Sequence, residues 1–428
     1  MILLEQAEHA LCTGEMDAAI CRVYGCSSGE EAYYRDRLLH IINGYRRSFG
    51  EAEIELFSAP GRTELGGNHT DHQQGNVLAG SVNLDVVACA APNGSNRICI
   101  ISEGYPQEEI DLSDLTPQST EINHTAALIR GVAAAIHKRG YQVSGFNCYM
   151  TSNVLGGSGL SSSAAYEVAV GTIMNRFFCQ QQLTPIDIAK IGQYAENSYF
   201  GKPCGLLDQM AASVGGIIAV DFSDAETPVV TQVAYAMKDS GYTLCIIDTG
   251  GDHKELTSAY AAIPEEMGAI AAAFGKNVLQ EVDEAAFMQN IPSLRSQYGD
   301  RAVLRAMHFF AETKRAVEEK QALENDDFEQ FLKLVNESGR SSAMYLQNVY
   351  AGISPLQQEM LIAIALAERI LRGRGAVRVH GGGFAGTIQA FVPDDMLQEF
   401  KQKMEAVLGA GSCHVLNIRP VGGTVFMA

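Results

Sequence analysis

One glycine- and serine-rich run is the centre of this sequence: Asn153-Val154-Leu155-Gly156-Gly157-Ser158-Gly159-Leu160-Ser161-Ser162-Ser163-Ala164-Ala165. A helix is predicted directly after it, because no proline interrupts residues 161–178 and small apolar residues recur along one face. A glycine-rich loop that opens a helix can hold a phosphate, since the first helical N–H groups lack internal partners and the helix dipole favours negative charge. A turn capped by serine, with no ligand, is the alternative.

The composition limits the classes of function. A chain of 428 residues predicts two domains. The net charge of −19 argues against nucleic acids and anionic membranes as partners, so an anionic nucleotide would need a local site with Mg²⁺ and backbone donors. The ten cysteines form no C-x-x-C pair, which favours reduced thiols over a disulfide frame or a zinc site. With neither a secretory signal nor a membrane-spanning run visible, we expect a cytoplasmic protein.

The chain around the central run predicts alternating strands and helices. A strand at 146–151 leads into the glycine-rich loop, which gives the strand, loop and helix order that a phosphate site needs. The loop is not a Walker A motif, because no lysine follows its glycines. The sequence becomes more polar at 222–240, and there we predict a domain boundary that divides the chain into residues 1–228 and 229–428.

Three further segments combine glycines with polar residues. The first covers residues 58–72, after a strand-like run at 53–57, and concentrates Arg62, Glu64, Asn68, His69, Asp71 and His72 within eleven residues. A solvated loop is the alternative there, and a metal site is disfavoured because no partner cluster with metal-ligand spacing is evident. The second segment, 201–216, places Asp208 among apolar residues, where a carboxylate must be paired, functional or a helix cap. The third is Gly381-Gly382-Gly383-Phe384-Ala385-Gly386, between two predicted strands.

Together these four segments resemble the GHMP small-molecule kinases, and among them the galactokinases. Residues 60–72 look like the galactokinase signature, residues 159–164 like the ATP motif, residues 204–209 like the segment with the catalytic aspartate, and residues 381–386 like the C-terminal glycine motif. Their order and spacing fit over about residues 35–428, so that residues 1–30 form an extension.

The resemblance implies an α/β fold in two domains, with a ribosomal-protein-like N-terminal half, a ferredoxin-like C-terminal half and the active site in the cleft between them. It also implies ATP-dependent phosphorylation of a sugar hydroxyl, typically O1, with Mg²⁺. In that pattern Asp208 accepts the hydroxyl proton, Arg62 stabilises charge, and Ser163 and Glu196 bind Mg²⁺. The same pattern assigns binding of the ATP phosphates to Gly157, Ser158, Gly159, Leu160, Ser161, Ser162 and Ser163. It assigns binding of the sugar to Asn68, His69, Thr70, Asp71 and Tyr260.

Four positions depart from the family pattern. Asn68 stands in place of a glutamate, Glu64 in place of an asparagine, Leu155 in place of a proline and His72 in place of an aromatic residue. The loss of a charged acceptor at 68 should weaken galactose binding by about 1–3 kcal/mol. We therefore keep two substrate hypotheses, first galactose and second a uronate, arabinose or N-acetylgalactosamine. A sugar- and ATP-binding regulator is disfavoured because Arg62 and the other predicted reactive residues are present. We expect a monomer or a weak homo-oligomer.

Overall fold

The computed structural model describes residues 1–27, 29–154, 159–202, 204–224, 227–251, 256–350, 356–384 and 386–426. The strands are β1 (Ile2–Leu3), β2 (Glu53–Gly66), β3 (Asn76–Pro92), β4 (Arg97–Ser102), β5 (Glu108–Asp111), β6 (Phe146–Ser152), β7 (Ile217–Asp221), β8 (Val229–Val233), β9 (Tyr242–Asp248), β10 (Ala376–Val379), β11 (Thr387–Pro393), β12 (Cys413–Leu416) and β13 (Thr424–Val425). The α-helices are α1 (Leu4–Thr13), α2 (Asp17–Tyr24), α3 (Glu31–Phe49), α4 (Thr125–Lys138), α5 (Ser162–Phe178), α6 (Pro185–Ala195), α7 (Leu207–Val214), α8 (Thr257–Ala273), α9 (Glu284–Tyr298), α10 (Asp300–Glu324), α11 (Phe328–Ser341), α12 (Glu359–Leu371) and α13 (Leu397–Leu408).

These elements are organised around two sheets. The larger sheet has the order β1-β2-β3-β6-β4-β5, with β13 added to β2 and the β7–β8 hairpin added to β3. The smaller sheet has the order β10-β11-β9-β12 and is antiparallel. Helices α5 and α7 pack on β2 and β3, and α12 packs on β10 and β11, which confirms the predicted α/β class. No helix in the described part of the chain has the length and apolar character needed to span a bilayer.

The division into domains stays a prediction. Strand β8 lies after the predicted boundary at 228/229, yet it pairs with β7 in the larger sheet. The smaller sheet begins at β9, so the chain passes from one sheet to the other between Val233 and Tyr242. If the sheets define the domains, the boundary moves a few residues towards the C-terminus, and β13 returns the end of the chain to the first domain.

Strand β2 is longer than the sequence predicts. The sequence predicts a strand only at 53–57 and a loop from Ser58, but β2 continues to Gly66. Irregularities in the pairing with β3 occur between Pro60 and Arg62 and between Glu64 and Gly66. A bulge accommodates a proline, which cannot donate to the sheet. Arg62 and Glu64 are consequently strand residues, and the polar turn that follows begins only at Gly67.

Helix α6 is capped at its start and is followed by an unusual turn at its end. Thr184 caps its start by accepting a hydrogen bond from the Asp187 N–H (3.1 Å), and Pro185 occupies the first helical position. The predicted helix 185–199 is regular only to Ala195, and the chain then forms a π-helical turn at Glu196–Phe200. Such turns re-aim side chains and are frequent at functional sites.

The N-terminal helices α1–α3 pack against the larger sheet. Helices α1–α3 cover the face of the sheet opposite α5, with Leu4, Ile41 and Phe426 in a shared apolar cluster. A buried carboxylate, Asp85, lies beneath them and accepts hydrogen bonds from four side chains, namely Tyr24 (2.6 Å), Arg37 (2.5 Å), Arg419 (3.0 Å) and Ser58. Burial would raise the pKa of Asp85, but the two arginines lower it below its usual value.

Candidate active site

The start of α5 lies at the centre of the site. Ser161, the residue before the helix, has a left-handed backbone (φ 57°), so the chain turns sharply out of the glycine-rich loop. The first turn of α5 contains no acidic residue, Ser161 makes no side-chain cap bond to it, and its first N–H groups have no partner within the helix. Of the predicted phosphate contacts, Gly157 and Ser158 lie outside the described residues. Leu160 is buried, and its carbonyl accepts a hydrogen bond from the Arg62 N–H (3.1 Å).

Arg62 joins this loop to Asp208. Its Nε and Nη2 lie 2.7 and 2.6 Å from Asp208 Oδ1, while Nη1 donates to the carbonyl of Gly159. Ser161 Oγ donates to the other carboxylate oxygen of Asp208, at 2.5 Å. Desolvation would raise the pKa of Asp208, but the charge of Arg62 and the Ser161 hydroxyl lower it below the usual value. The site therefore keeps Asp208 ionised, as an acceptor for a proton requires.

Asp208 differs from its predicted setting in one respect. The apolar sequence around it indicated a buried side chain, but 34% of the side chain is exposed. Its neighbours on α7, Leu207 and Gln209, are buried, whereas Asp208 faces the loop before α5. The alternative of a helix cap is not supported, because Leu206 is the capping residue of α7 and makes no side-chain cap bond.

The predicted metal residues are brought together across two helices. Ser163 Oγ donates to Glu196 Oε1 at 3.2 Å. Gln209 Nε2 donates to Glu196 Oε2 (2.9 Å) and to Glu167 Oε2 (3.0 Å), so two carboxylates share one amide. Sequence reasoning missed Glu167 and Gln209. The signal for Glu167 was its position one helical turn after Ser163 on α5, at a point that is otherwise apolar.

The chemistry of this group suits a hard divalent cation. Burial and the charge of Glu196 raise the pKa of Glu167 well above its usual value. Glu167 Oε1 and Gln209 Oε1 are buried and have no hydrogen-bond partner within the described structure. Mg²⁺ prefers oxygen ligands and usually completes its shell with phosphates and water. Among the described residues, no three His, Cys, Asp or Glu side chains form a metal cluster by themselves. A cation held by Ser163 and Glu196 would thus need oxygens from a bound phosphate.

A second group of polar residues faces the C-terminal glycine motif. Three successive carbonyls accept hydrogen bonds: Gly381 from Asn68 Nδ2 (2.8 Å), Gly382 from His69 Nε2 (3.0 Å) and Gly383 from Tyr260 Oη (2.6 Å). The ring of Tyr260 lies so close to Gly382 that a Cβ there would fall 2.6 Å from it. The motif was expected to approach a ligand, and its carbonyls instead hold three of the residues assigned to the sugar.

Two residues assigned to the sugar, Asn68 and Thr70, are fully buried. Thr70 Oγ1 donates to the carbonyls of Gly67 (2.8 Å) and Asn76 (2.7 Å), which closes the turn after β2. A direct sugar contact by either residue stays a prediction that these bonds do not favour. Asp71 is half-buried and lies against Gly205, at the start of the segment that carries Asp208.

A pocket of about 320 Å³ opens beside the start of α5. Its lining includes Tyr105, Pro106, Tyr166 and Phe200 together with Ser162 and Ser163. The sequence offered no signal for it, because the lining comes from separate strands and helices. Its aromatic residues, next to the first turn of α5, suit a planar ring attached to a phosphate chain.

Two family matches bear on this geometry. Residues 127–216 match the family described as GHMP kinases N terminal domain, and residues 43–92 match the galactokinase galactose-binding signature. The chain contains a GHMP kinase N-terminal domain. These matches contain α4–α7 with Ser163, Glu196 and Asp208, and the segment with Arg62 and His69.

Solved structures agree with this assignment. The protein is similar to galactokinase from Lactococcus lactis, solved in complex with galactose, at 25% identity and a TM-score of 0.76, over 89% of this chain and 98% of that one. It is also similar to mevalonate kinase from Methanococcus jannaschii, at 13% identity and a TM-score of 0.60, over 85% of this chain and 98% of that one. The second likeness concerns the fold alone.

Proposed function

We propose that this protein transfers the γ-phosphoryl group of ATP to O1 of galactose, giving galactose 1-phosphate and ADP. The observation that carries the proposal is the contact of Asp208 with Arg62 and Ser161 at the start of α5, which holds an ionised carboxylate beside a phosphate-binding helix terminus. Phosphoryl transfer asks mainly for positioning and charge stabilisation. The galactokinase signature over residues 43–92 favours galactose as the acceptor.

In this proposal Asp208 accepts the proton of the attacking hydroxyl. Arg62 keeps the carboxylate ionised and supplies positive charge where negative charge develops on the transferred group. The N–H groups at the start of α5, with residues 157–163, bind the triphosphate. The base of ATP enters the pocket lined by Tyr105 and Tyr166.

We also propose Mg²⁺ at Ser163 and Glu196, which lie 3.2 Å apart with buried, unpartnered oxygens nearby. When bound, the ion neutralises phosphate charge. Gln209 holds the Glu196 carboxylate in place from the other side. We place the reaction in the cytoplasm, because all ten cysteines are free thiols, the state that a reducing compartment maintains.

The sugar is assigned to the surface formed by His69, Asp71 and Tyr260. With Nε2–H of His69 donated to the carbonyl of Gly382, its Nδ1 is left as an acceptor, and Asp71 adds a carboxylate. The alternative acceptors remain a uronate, arabinose and N-acetylgalactosamine.

A coupled assay of ADP release tests the proposal. We expect the highest kcat/KM on galactose among these four sugars, with no turnover when a chelator removes Mg²⁺. Higher kcat/KM on another sugar would transfer the assignment to that sugar, and absence of ADP release on all four would refute the proposed activity.

The packing of Gly205 against Asp71 gives a prediction about sugar binding. A Cβ at Gly205 would fall 2.2 Å from Asp71 Oδ2. Gly205→Ala should therefore displace the carboxylate and raise the KM for sugar about tenfold, equivalent to about 1.4 kcal/mol, with a smaller effect on the KM for ATP. Gly268→Ala is the matched control, because a Cβ at that helical glycine meets nothing within 4 Å. An unchanged sugar KM in the first variant would remove Asp71 from the sugar site.

A further inference from the structure

Asn68 has no hydrogen-bonding capacity left for a ligand. Its Nδ2 donates to Glu64 Oε1 and to the Gly381 carbonyl, each at 2.8 Å. Its Oδ1 accepts from Asn348 Nδ2 at 2.9 Å and from Ser342 Oγ at 3.2 Å. A side-chain amide offers two donated and two accepted bonds, so all four are taken by the protein.

The main chain of Asn68 is held in the same way. Its N–H donates to Glu312 Oε1 (3.3 Å), and its carbonyl accepts from His308 Nε2 (2.9 Å). His308 donates through Nε2, and its Nδ1 lies 2.8 Å from Ser341 Oγ. Helix α10 thus fixes the backbone of the residue that immediately precedes His69.

Glu64 connects Asn68 to a buried positive charge. The oxygen that accepts from Asn68 also accepts from Arg378 Nη2 at 2.5 Å, and Arg378 Nη1 donates to the Leu65 carbonyl at 2.8 Å. Arg378 is buried on β10, whereas Glu64 and Leu65 lie on β2. The pair of Glu64 and Asn68 therefore joins strands of both sheets and the glycine motif.

From these contacts we propose that Asn68 is a positioning residue, which acts through Glu64 and Asn348 to hold His69 and the carbonyls of residues 381–383 in register, and that it does not touch the sugar. This deepens the proposed function and rests on it for the assignment of His69 to the sugar. The carboxylate and the amide at 64 and 68 stand in the reverse order to the family pattern. The pair still contains one of each, so Asn68 by itself does not indicate a different sugar.

An isosteric exchange within the pair tests the proposal. Asn68→Asp places a carboxylate oxygen against Glu64 Oε1 and the Gly381 carbonyl, so we expect a lower Tm and a KM for galactose raised tenfold or more, with kcat changed less. Glu64→Gln keeps an acceptor for Asn68 but removes the negative charge that pairs with the buried Arg378, so it should lower Tm as well. In the double variant, Glu64→Gln with Asn68→Asp, the introduced amide can donate to the introduced carboxylate. Half or more of the loss in Tm caused by Asn68→Asp alone, and of its rise in log KM for galactose, should then be recovered.

A control variant and two contrary outcomes distinguish a positioning role of Asn68 from direct contact with the sugar. Asn175→Asp changes another buried asparagine, whose side chain bonds the main chain of Leu183 near the end of α5, and should lower Tm without raising the KM for galactose. If the double variant shows no recovery, or if Asn68→Asp raises the KM with an unchanged Tm, Asn68 contacts the sugar and the proposal is wrong. The Tm cycle needs no turnover, so it remains decisive if the sugar assay fails.

Discussion

Asp208→Asn is expected to lower kcat by a factor of about 10²–10⁴, the contribution usual for a positioned proton acceptor, while ATP binding is retained. The substitution preserves the shape of the side chain, and its amide oxygen can still accept from Arg62. The amide cannot take the proton of the sugar hydroxyl at neutral pH, which is the reason for the loss. Steady-state kinetics and calorimetric titration with ATP measure the two effects separately.

A suitable control is Asp326→Asn. Asp326 is exposed and has a left-handed backbone (φ 57°), a conformation that asparagine tolerates. This variant should have wild-type kinetics. If Asp208→Asn kept kcat within tenfold of the wild type, Asp208 would not be the proton acceptor.

Arg62→Gln should lower kcat/KM by about 10² or more and also change its dependence on pH. The charge of Arg62 is the main influence that lowers the pKa of Asp208 against desolvation. Without that charge the pKa rises, so Asp208 becomes protonated at a higher pH and the acid limb of kcat/KM moves upward in pH. Arg62→Lys keeps a charge but loses the paired contacts of Nε and Nη2 with Asp208. Its kcat/KM and the position of its acid limb should lie between those of the wild type and those of Arg62→Gln.

The pH profile distinguishes this role from a structural one. Arg295→Gln removes an arginine whose partner, Asp300, is exposed on the surface, and should leave the profile unchanged. A lower rate in Arg62→Gln with an unmoved acid limb would show that Asp208 does not govern that limb.

Some of these features follow from the sequence and others do not. The bounds of α4 are confirmed at both ends, because the apolar pattern begins at Thr125 and stops before Gly140. Strand β2 was predicted too short, because Pro60 and Gly61 indicate a turn and only pairing with β3 shows that a bulge absorbs them. Local sequence gives periodicity and end signals, but it does not give the pairing that overrides them.

The candidate site shows the same division. The glycine-rich run and the segments at 60–72 and 201–216 can be recognised as motifs, so the sequence alone predicts Ser163, Arg62 and Asp208 as site residues. Their mutual contacts, and those of Glu167 and Gln209, depend on how α5, α6 and α7 pack against one another. The substitutions at 64 and 68 are visible separately in the sequence, but no local pattern indicates the hydrogen bond between their side chains, which forms from the end of β2 to the turn after it.

The cluster around Asp85 has a consequence for biosynthesis. Arg419 and Phe426 lie more than 300 residues after Asp85 in the sequence, yet they complete the carboxylate cluster and the apolar face beneath α1–α3. While a ribosome still holds the C-terminal segment, Asp85 lacks one of its two arginines and β2 lacks the pairing of β13. The part of the chain that is synthesised first therefore cannot reach its final packing until residues 419–426 have left the ribosome.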